Sequence, residues 1–103
     1  MPKEIILYNL KPSVTDEEYL RYCEDRKGPL IRSLPSCNDF TLVRITGSQK
    51  GEIPYAYVGI VDVTSIEEWK RDAASEPFQL FLKEWIPMVQ TFHILMGSEV
   101  YGR

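Results

Sequence analysis

The sequence predicts an α+β fold, and three features of the 103-residue chain predict it. The first is a set of four apolar runs typical of β-strands, at residues 3–10, 39–46, 54–63 and 89–96. The second is a pair of helix-start motifs, one after the first run and one after the third. The third is the resulting order, β-α-β-β-α-β. That order is typical of a ferredoxin-like fold, a four-stranded antiparallel sheet with helices on one face, here expected as a single domain over residues 1–103.

The first run, KEIILYNL, ends at Lys11-Pro12 and leads into the capping box Thr15-Asp16-Glu17-Glu18. The Thr15 hydroxyl can accept a hydrogen bond from the backbone N–H of Glu18, which begins a helix. We expect Gly28-Pro29 to break or kink that helix. Its apolar stripe consists of Tyr19, Leu20, Cys23, Leu30, Ile31 and Leu34.

The second half of the chain repeats this arrangement. Strands DFTLVRIT and PYAYVGIVDV flank a polar, Gly-rich linker at 47–53, which is typical of a mobile hairpin loop. The capping box Ser65–Glu68 begins a helix, and a second helical segment follows Ser75-Glu76-Pro77 until Pro87 closes it. The inward positions of these two segments are Ile66, Trp69, Ala73, Phe78, Phe81, Leu82 and Trp85.

Both faces of the predicted strands are apolar. Strand one presents Ile5 and Leu7 on one side and Ile6 and Tyr8 on the other. Because two helices cover only one face of a four-stranded sheet, the other face needs a partner. We therefore expect a homodimer, a dimeric α+β barrel that buries on the order of 2,000 Å² between the sheets. The tail 99–101 could reach the second copy.

Composition excludes several classes of function. The chain is 44% hydrophobic and carries a net charge of −3 with no block of like charges, which argues against nucleic-acid binding. No apolar run approaches the ~20 residues of a membrane span or resembles a secretion signal, so we expect a cytoplasmic protein. With one histidine and two separated cysteines, Cys23 and Cys37, we expect buried thiols, no metal and no cofactor.

Three segments carry a resemblance to a known family: LIRSLPSCNDFTLVRITG, PYAYVGIVDV and FHILMGSEVYG. They resemble the RedY-like (HapK-like) family of the dimeric α+β barrel superfamily. That resemblance implies a role in bacterial pathways to prodigiosin-type pyrrole pigments and bisindole alkaloids, with an aromatic heterocycle as ligand. The wider group also includes cofactor-independent monooxygenases, heme-handling proteins and dehydratases or cyclases, so the fold alone does not choose a reaction.

Candidate catalytic residues are polar side chains on apolar strands. His93, with an ordinary pKa of ~6.5, suits acid-base work near neutrality if it faces a pocket, and otherwise is structural. Tyr55 and Tyr57, two residues apart, are expected on one face of their strand. There they would orient an aromatic ligand or stabilise an oxyanion, or simply fill the core, and Tyr8 could join them.

The remaining candidates would bind the substrate. Trp69 and Trp85 would cover a pocket between the helices and the sheet, or belong only to the core. Arg44 would pair with a carboxylate of the ligand or form an ion pair with Glu99 or Asp62. Glu99 is also an expected partner for His93.

Three functions compete on these features. The leading hypothesis is a cofactor-independent enzyme that catalyses acid-base cyclisation or isomerisation of an indole- or pyrrole-derived intermediate in an apolar pocket. The first alternative is a cofactor-free monooxygenase of the same fold. The second is a non-catalytic protein that binds a labile pathway intermediate.

Overall fold

The computed structural model describes residues 2–102, and it contains one four-stranded antiparallel sheet with the helices packed on one face. The sheet order is β2-β3-β1-β4, so the predicted ferredoxin-like fold is confirmed. In chain order the elements are β1 (Pro2–Leu10), α1 (Asp16–Tyr22), a π-helical turn (Cys23–Lys27), α2 (Gly28–Ser33), β2 (Cys37–Arg44), β3 (Tyr57–Val63), α3 (Ile66–Ala73), α4 (Glu76–Trp85), a 3₁₀ turn (Ile86–Met88) and β4 (Val89–Ser98).

Both predicted helix starts are confirmed by their capping hydrogen bonds. The backbone N–H of Glu18 donates to the Thr15 hydroxyl at 3.1 Å, and that hydroxyl donates to the Glu18 carboxylate at 3.0 Å. The backbone N–H of Glu68 donates to the Ser65 hydroxyl at 3.0 Å. These bonds satisfy N–H groups that have no partner inside the first turn of a helix.

The π-helical turn Cys23–Lys27 joins α1 to α2 directly before Gly28-Pro29. The Gly28 N–H donates to the carbonyl of Cys23, five residues earlier, which widens the helix by one residue. The wider turn admits Pro29, which has no N–H to donate. A Cβ at position 28 would lie 2.8 Å from the Cys23 carbonyl oxygen, so glycine is needed for this close approach.

The third strand begins at Tyr57, three residues later than predicted. The side chain of Asn9 replaces strand pairing there, because it donates to the Pro54 carbonyl at 3.0 Å and accepts from the Ala56 N–H at 2.9 Å. The expectation that Tyr55 and Tyr57 share one face is therefore wrong. Tyr57 is buried on the helix side, whereas Tyr55 contacts His93 on the opposite side of the sheet.

The face of the sheet away from the helices, here called the open face, is apolar and only partly covered. Its residues include half-buried Leu7 and Ile60 and exposed Val43 and Leu95. In the edge strand β4, every residue from 90 to 98 is exposed in the single chain. None of the helices in residues 2–102 has the length and hydropathy that a membrane-spanning helix requires.

Candidate functional site

A cavity of about 280 Å³ lies between the helices and the sheet. This volume is close to the ~300 Å³ lower end for ligand pockets, so it has room for a molecule of one or two rings. Two side chains in its wall are ionisable and buried, Glu4 and Lys27. Most of the remaining wall is apolar and includes Ile6, Val61, Trp69, Phe78, Phe81 and Trp85.

Lys27 is the most unusual side chain of this cavity, since only 3% of it is exposed. Its Nζ donates to the hydroxyl oxygens of Tyr8 at 3.0 Å and Tyr19 at 2.9 Å. It also lies 4.8 Å from the ring centroid of Tyr8 and 5.0 Å from that of Trp85. Cation–π contacts and hydrogen bonds replace only part of the lost hydration. Burial therefore lowers the pKa of Lys27 to about 8.

The helix places Lys27 inward. Tyr19, Cys23, Lys27 and Ile31 follow one another at intervals of four residues, and all four are buried. This spacing forms one row on the helix surface, and the π-helical turn ends at the lysine. Lys27 was not among the predicted site residues because lysine is usually exposed, although its place in an apolar row was a readable signal.

The two tyrosines that hold Lys27 also contact each other. Their hydroxyl oxygens are 2.5 Å apart, and the Trp85 indole N–H donates to Tyr19 at 2.9 Å. Since Lys27 and Trp85 use both lone pairs of the Tyr19 oxygen, the Tyr19 hydrogen points to Tyr8. Burial raises the pKa of both tyrosines far above its ordinary value, so both stay neutral phenols.

Glu4 is the second buried ionisable group in the cavity wall, with 8% of the residue exposed. Burial raises the pKa of its carboxyl, and a hydrogen bond from the side chain of Trp69 opposes this shift. Glu4 alternates with Ile6 and Tyr8 along β1, which places it on the helix side of the sheet. Glu4 was not predicted either, although this alternation is visible in the sequence.

The predicted substrate-binding residues are only partly brought together. Trp69 and Trp85 line the cavity, and Tyr8 lies behind Lys27 in direct contact with it. Tyr57 is fully buried, stacks on Tyr8 with 5.5 Å between ring centroids, and donates its hydroxyl to Asp16 at 2.6 Å. Burial, followed by this hydrogen bond to the carboxylate, raises the pKa of Tyr57 to about 12.

The expected ion pair of Arg44 with Glu99 or Asp62 is wrong. Arg44 lies opposite Tyr57 in the β2–β3 register and pairs with Asp16 at 3.5 Å. Asp62 lies at the other end of β3, where it accepts a hydrogen bond from the Nζ of Lys3. The same Nζ forms an ion pair with Glu99, 3.1 Å from its Oε1. These two carboxylates raise the pKa of Lys3. Arg44, Glu99 and Asp62 all lie outside the cavity wall.

His93 is on the open face. It lies opposite Leu7 in the register, while its neighbour Ile94 lies opposite Ile6 and lines the cavity. His93 is exposed and meets the ring of Tyr55 edge-on, with 5.6 Å between centroids. Because alternate residues of a strand face opposite sides, the sheet separates His93 from the cavity of its own chain. The expectation that His93 and Tyr57 act together in one pocket is therefore not met within one chain.

The two cysteines, Cys23 and Cys37, are free, the first buried and the second half-buried. Across residues 2–102 no group of three or more His, Cys, Asp or Glu side chains is placed to hold a metal ion. Three ionisable side chains line the cavity, the buried Lys27 and Glu4 and the exposed Lys70. The phenols of Tyr8 and Tyr19 hold Lys27 from behind.

Comparison with known proteins gives one family and several structures of the same fold. The family model described as REDY-like protein HapK matches residues 2–100. No curated protein sequence matches the chain. HapK from Hahella chejuensis is similar in structure, with a TM-score of 0.82 and 18% identity over 100% of this chain and 96% of that one.

Two further solved structures share the fold. SnoaB from Streptomyces nogalater, described as a cofactor-independent oxygenase and solved as a mutant, has a TM-score of 0.77 and 13% identity over 98% of this chain and 94% of that one. A dimeric ferredoxin-like protein of unknown function from Thermobifida fusca has a TM-score of 0.76 and 13% identity over 95% of this chain and 90% of that one.

Proposed function

The chain belongs to the RedY-like HapK family, and from that premise we propose a cytoplasmic, cofactor-independent tailoring enzyme of bacterial secondary metabolism. It moves a proton on an indole- or pyrrole-derived intermediate and so promotes cyclisation or isomerisation. One observation carries the proposal: an amine, Lys27, and a carboxyl, Glu4, are both buried in the wall of one apolar cavity. Buried ionisable groups with shifted pKa values are enriched at functional sites.

The cavity suits a flat aromatic ligand. Trp69 and Trp85 present aromatic surface to it, and Phe78 and Phe81 connect them in the wall through ring contacts. Aromatic rings pack edge-to-face or offset and gain about 0.5–1.5 kcal/mol per pair beyond the burial of apolar area. An indole or a pair of pyrrole rings therefore matches both the chemistry and the volume of the cavity.

Lys27 supplies the proton transfer in this proposal. With a pKa of about 8 the amine is present as both the neutral amine and the ammonium near neutral pH, whereas a lysine with the ordinary pKa of 10.5 is almost wholly cationic. The neutral amine accepts a proton from the substrate and the ammonium returns one, with Tyr8 and Tyr19 holding Nζ in place. A group whose pKa lies near the working pH is the most effective acid-base catalyst. Lys27 thus takes the role that the sequence suggested for His93.

Proton exchange in indole-3-pyruvate tests this function. Its side-chain CH₂ next to a ketone is acidic, and NMR in D₂O measures how fast those hydrogens exchange. We expect the protein to accelerate the exchange, and Lys27→Met to reduce the acceleration by roughly 10² to 10⁴. Lys83→Met, a change at an exposed lysine of α4 outside the cavity wall, is the matched control and should retain it. Full activity in Lys27→Met would refute Lys27 as the proton-transfer group.

The two alternatives give different results in the same assay. A cofactor-free monooxygenase would need oxygen, so exchange that continues undiminished under strict anaerobic conditions would argue against it; SnoaB, of the same fold, is described as a cofactor-independent oxygenase. A carrier would bind indole-3-pyruvate, detectable by protein chemical-shift changes, without accelerating exchange. Binding without acceleration would therefore favour the carrier over the enzyme.

The protein is also proposed to act as a homodimer. Leu7, Ile60, Val43 and Leu95 leave the open face apolar in a single chain. Large exposed apolar patches usually mark an interface. The Thermobifida fusca protein of the same fold is described as dimeric, which supports the proposal. In such a dimer His93 lies in the interface between the sheets.

A further inference from the structure

We propose that Lys27 also acts as a nucleophile and forms an imine with the carbonyl group of an aldehyde or ketone bound in the cavity. This inference rests on the proposed function, because it places the same ligand in the same cavity. It goes beyond proton transfer because it gives the amine a covalent step and names the class of functional group that the substrate carries.

The surroundings of Nζ favour a free amine. Lys27 donates to two phenol oxygens and lies among aromatic rings, and within residues 2–102 no carboxylate comes within 4 Å of its Nζ. By contrast, Lys3 is held as a cation by the carboxylates of Asp62 and Glu99. A lysine desolvated in an apolar pocket is the form that attacks carbonyl groups.

Glu4 completes the chemistry from the same cavity. The neutral amine adds to the carbonyl carbon, forming a C–N bond, while a proton moves from nitrogen to the carbonyl oxygen and gives a carbinolamine. Glu4, in its carboxylic-acid form, donates its proton to the hydroxyl, which leaves as water as the C–O bond breaks. The products are a cationic iminium on Lys27, a Glu4 carboxylate and one water. Burial raises the pKa of Glu4 and so favours its acid form before the reaction.

An iminium would help the proposed cyclisation. It is a stronger electrophile than the carbonyl, so an electron-rich pyrrole or indole ring attached to the same substrate attacks it more readily. The cavity volume of about 280 Å³ limits the substrate to a small aromatic carbonyl compound. Trp69 and Trp85 provide the aromatic wall against which such a compound packs.

Reductive trapping tests the proposal on the folded wild-type protein. At pH 8 benzaldehyde forms an imine with a lysine amine, and sodium cyanoborohydride reduces that imine to a stable benzyl-lysine. Peptide mass spectrometry identifies which lysine carries the benzyl group. We expect labelling at Lys27 at least tenfold faster than at exposed Lys50 and Lys83, and indole to slow the labelling at Lys27 but not at Lys50 or Lys83. Labelling confined to the exposed lysines would overturn the proposal.

Two variants separate this inference from the proposed function. Glu4→Gln should slow labelling at Lys27 by tenfold or more and leave Lys83 unchanged, and equal labelling would remove Glu4 from the step. If Lys27 is not labelled but Lys27→Met still abolishes proton exchange in indole-3-pyruvate, the imine is wrong and acid-base catalysis stands. If Lys27 is not labelled and Lys27→Met also leaves proton exchange unchanged, both the imine and the proposed function are wrong.

Discussion

Replacing Lys27 by methionine tests the burial of this amine through protein stability, without any substrate. Methionine has a similar length and no charge, so it removes the cost of burying the ammonium and little of the packing. A pKa lowered from 10.5 to about 8 corresponds, at roughly 1.4 kcal/mol per pH unit, to a penalty of about 3 kcal/mol in the native protein. The change also removes two hydrogen bonds to Tyr8 and Tyr19, at about 1 kcal/mol each.

The pH dependence follows from the direction of the shift. Below pH 8 the lysine is protonated in both the native and the unfolded state, and the whole penalty is present. Between pH 8 and 10.5 the native amine is neutral while the unfolded one still binds a proton, so the penalty shrinks as pH rises. We expect Lys27→Met to be roughly 1 kcal/mol more stable than wild type at pH 7, and this difference to fall by about 1 kcal/mol at pH 9.

Urea unfolding followed by tryptophan fluorescence at pH 7 and pH 9 measures both differences. Because the charge of Lys27 also lowers the pKa of the Cys23 thiol, both proteins carry Cys23→Ala in this comparison. Lys83→Met, at an exposed position, should show no pH-dependent difference from wild type. A difference for Lys27→Met that stays constant from pH 7 to pH 9 would refute the account, because Lys27 would then titrate at its ordinary pKa.

Three further outcomes are expected. His93→Ala should keep at least half of the proton-exchange activity, measured by NMR, and a hundredfold loss would return the histidine to the site. Gly28→Ala should lower the unfolding free energy by roughly 1–3 kcal/mol in urea, because its Cβ meets the Cys23 carbonyl oxygen at 2.8 Å; an unchanged midpoint would contradict this. Leu95→Glu on the open face should convert the dimer into monomers in sedimentation velocity. Leu80→Glu, at a similarly exposed position on α4, should leave the dimer intact. A monomeric wild-type protein would contradict the dimer proposal.

The helices and the order of the strands could be predicted because their signals are local. The residues Thr15 and Ser65 cap their helices as the sequence indicates, and the spacing of Phe78, Phe81 and Trp85 places all three in the core. Such signals depend on hydrogen bonds and spacing within a few residues. Trp69 and Trp85 were found as cavity residues for the same reason.

The rest of the site depends on contacts between distant residues. Tyr55 turns away from Tyr57 because the side chain of Asn9, 45 residues from Pro54, takes the backbone hydrogen bonds of that segment. The side of the sheet on which His93 lies depends on the β1–β4 register, which no local motif reveals. Lys27 and Glu4 were missed because charged residues are rarely buried, and only the packed structure shows that they are.

A crystal structure of the protein soaked with indole tests the central claim most directly, because that claim is that the ligand site lies on the helix side of the sheet. We expect density for indole between Trp69 and Trp85, beside Lys27, in the cavity that these residues line. Density on the open face against His93 and Tyr55, with the cavity still empty, would contradict the account and restore the histidine as the candidate catalytic residue.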